Sequence, residues 1–312
     1  MANTPRKVLF SAQKNEGPFI LEWVAYHKVV GFTDIVVVSN DCSDGSDDLL
    51  DVLHAAGELI HIRQTVPEGV SPQLSGADIF LKSEHARMGD WIMWLDLDEY
   101  LVVQSATRRV DDLIAQFPEA DAIGLCWRVF GSAGQTTWTG EQVAEPFVRA
   151  SRRKWPPNTQ IKTLFRLSEK IKLMHLHRPV FNAGVGDVSF VGGDGLPMED
   201  GFAFKMMPRA YPVHKIHRDR DIHAIGQVNH YAVRTPDLYR LKKLRGRGLA
   251  SAVETSERHN DDFFRQYDQN HEDDRAILAD QALKQSEMDR LFALTGVKEA
   301  CQAIQNFRFP SA

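Results

Sequence analysis

The chain has 312 residues, 43% of them apolar and 25% charged, with a formal net charge of −5. That balance suits a globular protein, and the negative charge argues against the broad basic face of a nucleic-acid binder, so no nucleic-acid partner is expected. Cys42, Cys126 and Cys301 are scattered without metal or disulfide spacing, which fits a reducing compartment.

Residues 1–7 lead into only a short apolar run, without the apolar region of a signal peptide. No stretch approaches the roughly 20 apolar residues of a membrane span. A cytoplasmic location is expected. Peripheral contact with the inner face of a membrane stays open, because an amphipathic helix needs no such run.

Lys7 to Ala12 reads as a buried strand ending near Lys14-Asn15-Glu16. Gly17-Pro18 opens a helix, since proline is tolerated in a first turn. Its Phe19, Ile20, Trp23, Val24, His27 and Val30 share one side, and Gly31 stops it. Asp34 to Ser39 is a β-branched strand of the kind buried on both faces. It ends in the polar turn Asn40 to Gly45, where Asp44 or Ser46 can cap a helix through Leu49, Leu50, Val52 and Leu53. A third strand spans Leu59 to Gln64, a helix Gly76 to Met88, and a fourth strand Trp91 to Leu95.

Strands alternating with helices predict right-handed βαβ units and a parallel sheet. Ligands of such sheets bind beyond the carboxyl ends of the strands. Asn15 and Glu16, Asn40 and Asp41, and Asp96 and Asp98 then share one rim.

Beyond Asp98 the pattern changes. A short helix (Arg109 to Phe117) and a strand (Ala122 to Val129) precede a long loop from Gly131 to Pro157. Ile161 to Leu167 and Ile171 to Leu176 are expected to pair antiparallel. Asn182 to Asp200 is glycine-rich and reads as a functional loop. Helices are expected from Pro236, starting with Leu238, Leu241 and Leu244, then over Ala276 to Phe292 and Val297 to Ile304.

Asp96 and Asp98 are two apart, so an extended backbone puts both carboxylates on one face. They repel unless a cation lies between them, and a hard divalent cation can hold a diphosphate through its oxygens. An isolated Asp-x-Asp is more often a solvated strand end. Glu99 falls on the opposite face, where a salt bridge is an equal alternative. In His175-Leu176-His177 two imidazoles share a face if the backbone is extended. Lys242, Lys243, Arg245 and Arg247 could offset diphosphate charge, or form a solvated helix face. Lys82 is a further donor contact, and Lys162 and Arg166 alternate as weaker ones. Displacement with inversion needs a carboxylate to take the acceptor's proton, and Asp194, Glu199 and Asp200 lie in the glycine-rich loop. Trp127 reads as core. Trp138 and Trp155 could equally stack on a sugar. His214, His217 and His223 read as structural or surface residues.

The order Lys14-Asn15-Glu16, Glu22-Trp23-Val24-Ala25-Tyr26-His27, Gly31, Asn40-Asp41-Cys42-Ser43-Asp44-Gly45-Ser46, then Trp94-Leu95-Asp96-Leu97-Asp98-Glu99-Tyr100 resembles bacterial family-2-type glycosyltransferases. The likeness is specific over residues 7–103 and thinner beyond. It implies an α/β GT-A fold, Rossmann-like, with a mostly parallel central sheet flanked by helices. The catalytic domain would span 1–235, with a nucleotide-binding half at 1–103 and an acceptor and metal half at 104–235. A helical C-terminal extension would follow at 236–312.

The resemblance also implies a nucleoside-diphosphate sugar donor of UDP or GDP type and a Mn²⁺ or Mg²⁺ ion. Asp98 would ligate the ion directly, and Asp96 would reach it through water or bind the ribose. Asn15, Glu16, Asn40 and Asp41 would face base and ribose. A late histidine would complete the metal shell: His230 in Asn229-His230-Tyr231, with His177 or His175 as competitor. The acceptor would be a hydroxyl on a glycan, a lipid or a small molecule, in the setting of polysaccharide biosynthesis. Two other readings stand beside this one. A nucleotidyltransferase is disfavoured by the single glycine in Ser11 to Gly17. A catalytically inactive sugar-nucleotide-binding or scaffold protein would bind donor and metal without turnover.

Overall fold

The computed structural model describes residues 5–140, 142–199, 201–204, 220–245 and 260–306. The first half alternates as read: β1 (Lys7–Gln13), α1 (Gly17–Val30), β2 (Asp34–Ser39), α2 (Ser46–Ala55), β3 (Ile60–Arg63), α3 (Pro72–Lys82) and β4 (Trp91–Trp94). Then come β5 (Glu99–Val103), α4 (Val110–Gln116), β6 (Ala122–Val129), the two-residue β7 (Arg149–Ala150), β8 (Ile161–Arg166), β9 (Ile171–Met174), β10 (Pro179–Phe181) and β11 (Phe190–Val191). The chain closes with β12 (Gly226–His230), α5 (Pro236–Arg245), α6 (Asp261–Tyr267), β13 (Glu272–Asp273), α7 (Gln281–Phe292) and α8 (Val297–Asn306).

One curled nine-stranded sheet runs in the order β3-β2-β1-β4-β8-β6-β12-β5, with β11 paired to β6. The four strands from β3 to β4 are mutually parallel. β8 then enters antiparallel to both β4 and β6, and β12 lies parallel to β6 and antiparallel to β5. The result is the GT-A, Rossmann-like arrangement, mostly parallel and flanked by helices.

The two apolar faces of β1 and β2 explain the layering. Leu9, Ile35 and Val37 belong to the core that contains Trp23, Leu49 and Leu53 of α1 and α2. Val8, Phe10, Val36 and Val38 share the other core with Phe80 of α3. Alternate residues along a strand leave opposite faces, so helices on both sides demand apolar residues at every position.

Three expectations need correction. First, β8 and β9 do not pair. β9 pairs with β10 instead, because both edges of β8 are taken by β4 and β6. Second, α3 begins at Pro72 rather than Gly76: Ser71 caps it through Leu74 N, and proline takes the first turn. Third, β5 and β12 are strands that the pattern beyond Asp98 does not announce, and they position half of the site.

The C-terminal helices pack back on the first half. α7 lies against α1 and α8 against α2, and Lys284 of α7 ion-pairs with buried Glu22 of α1 at 2.9 Å. Among the described residues, no helix is long and apolar enough to cross a membrane.

Candidate active site

The carboxyl ends of β1, β2 and β4 meet on one rim. Backbone there adopts an uncommon conformation. Asn15, Asp41 and Arg234, none of them glycine, have φ of 52°, 47° and 51°. Such positions persist only where surroundings hold them, and they gather at functional sites. Asn15 Oδ1 accepts from Ser43 N at 2.8 Å, tying the β1 end to the β2 end. Asn40 donates to the Asp41 carboxylate at 3.1 Å. Asp44 accepts from Gly17 N and Ser46 N, so one carboxylate serves the starts of α1 and α2.

The acidic run is a turn rather than an extended strand. Glu99 N donates to Asp96 O at 2.9 Å, and β5 starts at Glu99. Within this turn the two aspartates take different cations, while Asp98 still pushes the Asp96 carboxyl up. Asp96 turns toward Lys162, whose Nζ lies 3.2 Å from Oδ2, and accepts from Gln73 Nε2 at 3.0 Å. Glu99 is the acid that joins Asp96: its Oε2 lies 2.8 Å from the same ammonium and accepts from Asp96 N. Trp127 Nε1 donates to Glu99 Oε1 at 2.9 Å. Glu99 is thus not solvated but held in contact with the Lys162 ammonium.

Asp98 faces the other way. Its Oδ2 is 2.5 Å from Lys242 Nζ and 3.8 Å from His230 Nε2. Burial pushes its carboxyl up, but Lys242, His230 and Arg234 outweigh that and hold it below the ordinary carboxylate range. Glu99 behaves oppositely. Burial pushes it up to about 8, against the pull of Lys162.

Residues far along the chain complete the mouth. Arg234 Nη2 donates to Leu97 O at 3.2 Å and Nη1 lies 3.5 Å from Glu16 Oε2, while its guanidinium stacks 3.6 Å from the Phe19 ring. Asn15, Glu16, Phe19, Arg234, Leu241 and Lys242 line one pocket.

The Glu22-Trp23-x-x-Tyr26-His27 segment braces this turn from behind. Trp23 Nε1 donates to Glu99 O at 3.0 Å and Tyr26 Oη to Leu101 O at 2.8 Å, while His27 Nε2 accepts from Leu101 N at 3.3 Å. Glu22 accepts from Val143 N and Ala144 N and carries the Lys284 ion pair. Three residues of one helix thus fix the strand that leaves the acidic turn.

The remaining expected residues distribute as follows. His230 meets Asp98. His177 Nδ1 donates to Ile161 O (2.9 Å), and its ring packs on Trp127, which in turn packs on His230 at 4.1 Å. Trp127 therefore lies between the two histidines. Lys82 ends α3, whose start touches Asp96 through Gln73. About 13 Å of helix separates the two residues, and Lys82 pairs with Asp78 in solvent. Asp194 is not in a free loop: its Oδ1 accepts from Leu196 N, and Oδ2 lies 3.5 Å from Arg220. Gly193 beside it is pressed so close that a Cβ would fall 2.2 Å from Ile222 O. The Glu199 carbonyl accepts from Phe202 N, and its side chain is exposed. Asp200, Arg247, His214, His217 and the Arg245 side chain lie outside the described residues. His223 is buried and bonded to Trp127 O, as a structural residue.

Lys162, Gln73, Arg234 and Trp127 are the residues that sequence reasoning undervalued. Lys162 carried the only advance signal, as a charged residue inside an apolar strand.

The donor chemistry fits a divalent ion at Asp98 and His230. One Asp98 oxygen has the His230 imidazole nitrogen at 3.8 Å and the Lys242 ammonium at 2.5 Å. Among the described residues, no three His, Cys, Asp or Glu side chains converge on one position. Ions of this kind are often held by one or two protein groups, with water and substrate phosphates completing the shell.

A family model described as glycosyltransferase family 92 matches residues 15–185. No curated protein matches the chain. Among solved structures, the chain is similar to S. aureus TarS, at 15% identity and a TM-score of 0.31, over 43% of this chain and 23% of that one. TarS 1-349 in complex with UDP-GlcNAc gives 15% and 0.31, over 43% and 37%. HddC from Yersinia pseudotuberculosis gives 11% and 0.27, over 40% and 60%. The chain spans less than half the length of either of these TarS structures.

Proposed function

The chain belongs to glycosyltransferase family 92, and on that premise we propose that it moves a sugar from a nucleoside diphosphate, of UDP or GDP type, to a hydroxyl of a glycan, lipid or small molecule. The observation that carries this reading is the meeting of Asp98, His230, Lys242 and Arg234 beyond the carboxyl end of the parallel strands. A diphosphate leaving group departs with added negative charge, and cationic groups at fixed positions lower the barrier to its departure.

In this reading Asn15, Glu16, Asn40 and Asp41 border the base and ribose, and Asp96, fixed by Lys162 and Gln73, reaches the ribose or an ion-bound water. Arg234 and Lys242 take the diphosphate oxygens, with Arg245 and Arg247 farther along the same segment. Asp98 and His230 hold Mn²⁺ or Mg²⁺, which when bound supplies Lewis-acid stabilisation of the diphosphate. Inversion takes the acceptor's proton on a carboxylate of the loop carrying Asp194, Glu199 and Asp200. The N-terminal signature, read as family-2-type, serves here as the brace behind the acidic turn. The catalytic domain would end near residue 235. Free thiols at Cys42, Cys126 and Cys301 agree with work in the cytoplasm, at the membrane's inner face when the acceptor is lipid-borne.

A panel of nucleoside diphosphates, each with and without Mn²⁺, tests the reading by thermal shift. One of them should raise the melting temperature in a metal-dependent way, and Asp98→Ala and His230→Ala should abolish the response. No response from the wild type across the panel would sink the proposal.

A further inference from the structure

We infer that Lys242 is the site's resident cation, and that a donor's diphosphate must draw its ammonium off Asp98 before a divalent ion can settle there. The inference rests on the function proposed above. Lys242 Nζ lies 2.5 Å from Asp98 Oδ2 and donates to Ala232 O at 2.9 Å. An ion bound by Asp98 would sit roughly 2.0–2.6 Å from the same oxygen. The ammonium already lies within that distance, and His230 Nε2 is 3.8 Å from the same oxygen. Two cations cannot share it without strong repulsion.

Lys242 is able to leave. It stands on α5 at the pocket's edge with its side chain 18% exposed, and a lysine stem has four rotatable carbons that let its point charge move. Lys162 has no such exit, being fully enclosed between Asp96 and Glu99. Diphosphate oxygens entering the pocket offer Lys242 a second anionic partner. Its transfer exposes Asp98 Oδ2 at the moment the diphosphate supplies the ion's remaining ligands. Ion and nucleotide then bind with positive coupling, and an ion alone must compete with the protein's own ammonium. By linkage the coupling is reciprocal.

The test uses the full-length protein and Mn²⁺, with free ion measured by EPR, alone and in the presence of UDP or GDP. Lys242→Met and Lys242→Gln should bind Mn²⁺ alone at least tenfold more tightly than wild type. They should also lose most of the mutual enhancement between Mn²⁺ and nucleotide that wild type shows. Unchanged or weaker binding of Mn²⁺ alone by folded variants overturns the inference while leaving the proposed function standing. So does a wild type in which Mn²⁺ and the nucleotide bind without enhancing each other, a result that needs no variant. A wild type that binds neither Mn²⁺ nor any nucleoside diphosphate removes both.

Discussion

Lys162 and Lys242 both meet one acidic turn, the first fully enclosed and the second lining the pocket. Lys162 and Glu99 are each 0% exposed at their side chains, and Asp96 closes over them at 26%. In the Lys242–Asp98 pair the lysine lines the pocket while Asp98 is buried. Coulomb attraction is available to both pairs, yet their roles differ because desolvation differs. A buried pair cannot exchange partners, since either charge left alone has no water to turn to. A pair at the rim can, since solvent and ligand both reach it. The sealed lysine fixes the shape of the turn, and the open one answers to what binds.

The sharpest way to break that contrast is to remove each ammonium in turn. Lys162→Met removes the ammonium that Asp96 and Glu99 share and should cost about 3–5 kcal/mol in urea unfolding. Adding Glu99→Gln should recover part of it, because one of the two carboxyls facing the vacated position is then an amide. Lys242→Met should cost less than Lys162→Met, because His230 and Arg234 still face the Asp98 carboxylate. Equal losses would show that the two pairs are not different in kind.

A pH series probes the sealed side through its histidine. His27, on the sealed side, accepts from Leu101 N and lies wholly in the core, and burial pushes it down to about 3. The unfolded chain binds a proton near pH 6.5, whereas the folded chain does not until about 3. Stability is therefore complete above 6.5 and falls as pH drops through that window. By pH 4.5 the loss from His27 alone should be roughly 2–3 kcal/mol. His27→Gln should flatten the slope. A wild type with no acid slope above pH 4 would remove His27 from the brace.

Arg234 sharpens the open side. Its guanidinium holds Leu97 O and stacks on Phe19. Arg234→Ala should weaken binding of the responsive nucleoside diphosphate roughly tenfold by calorimetry, in line with loss of one charge-assisted hydrogen bond. Binding unaffected by the change would confine Arg234 to supporting the turn.

The parallel half was legible because its signals are local. Buried strands there are runs of apolar residues that end at polar turns, and the acids follow β4 directly. The counter-charges were not legible, because they arrive from 66 residues away for Lys162, 137 for Arg234 and 144 for Lys242. No periodicity reports a contact of that span. The split of Asp96 from Asp98 was missed for a different reason. A two-residue period holds only in extended backbone, and the Glu99-to-Asp96 hydrogen bond ends the extended stretch before Leu97. Gln73 is a first-turn polar residue like many others until α3 is seen to start beside Asp96. Trp127 looked like core and is core, but its indole N–H reaches the acid that fixes the turn.

Lys82 supplies the control. Sequence placed it among the donor contacts, and α3 carries it to the far end of the helix. There its ammonium pairs with Asp78 one turn back, and both side chains are largely in water. An exposed pair at this spacing contributes about 0.3–0.5 kcal/mol. Lys82→Ala should therefore change stability by no more than that and leave nucleotide-dependent thermal shifts where they were. A measurable loss of nucleotide binding would mean that the donor reaches along α3, and that the open side of the site is wider than Lys242 and Arg234 define it.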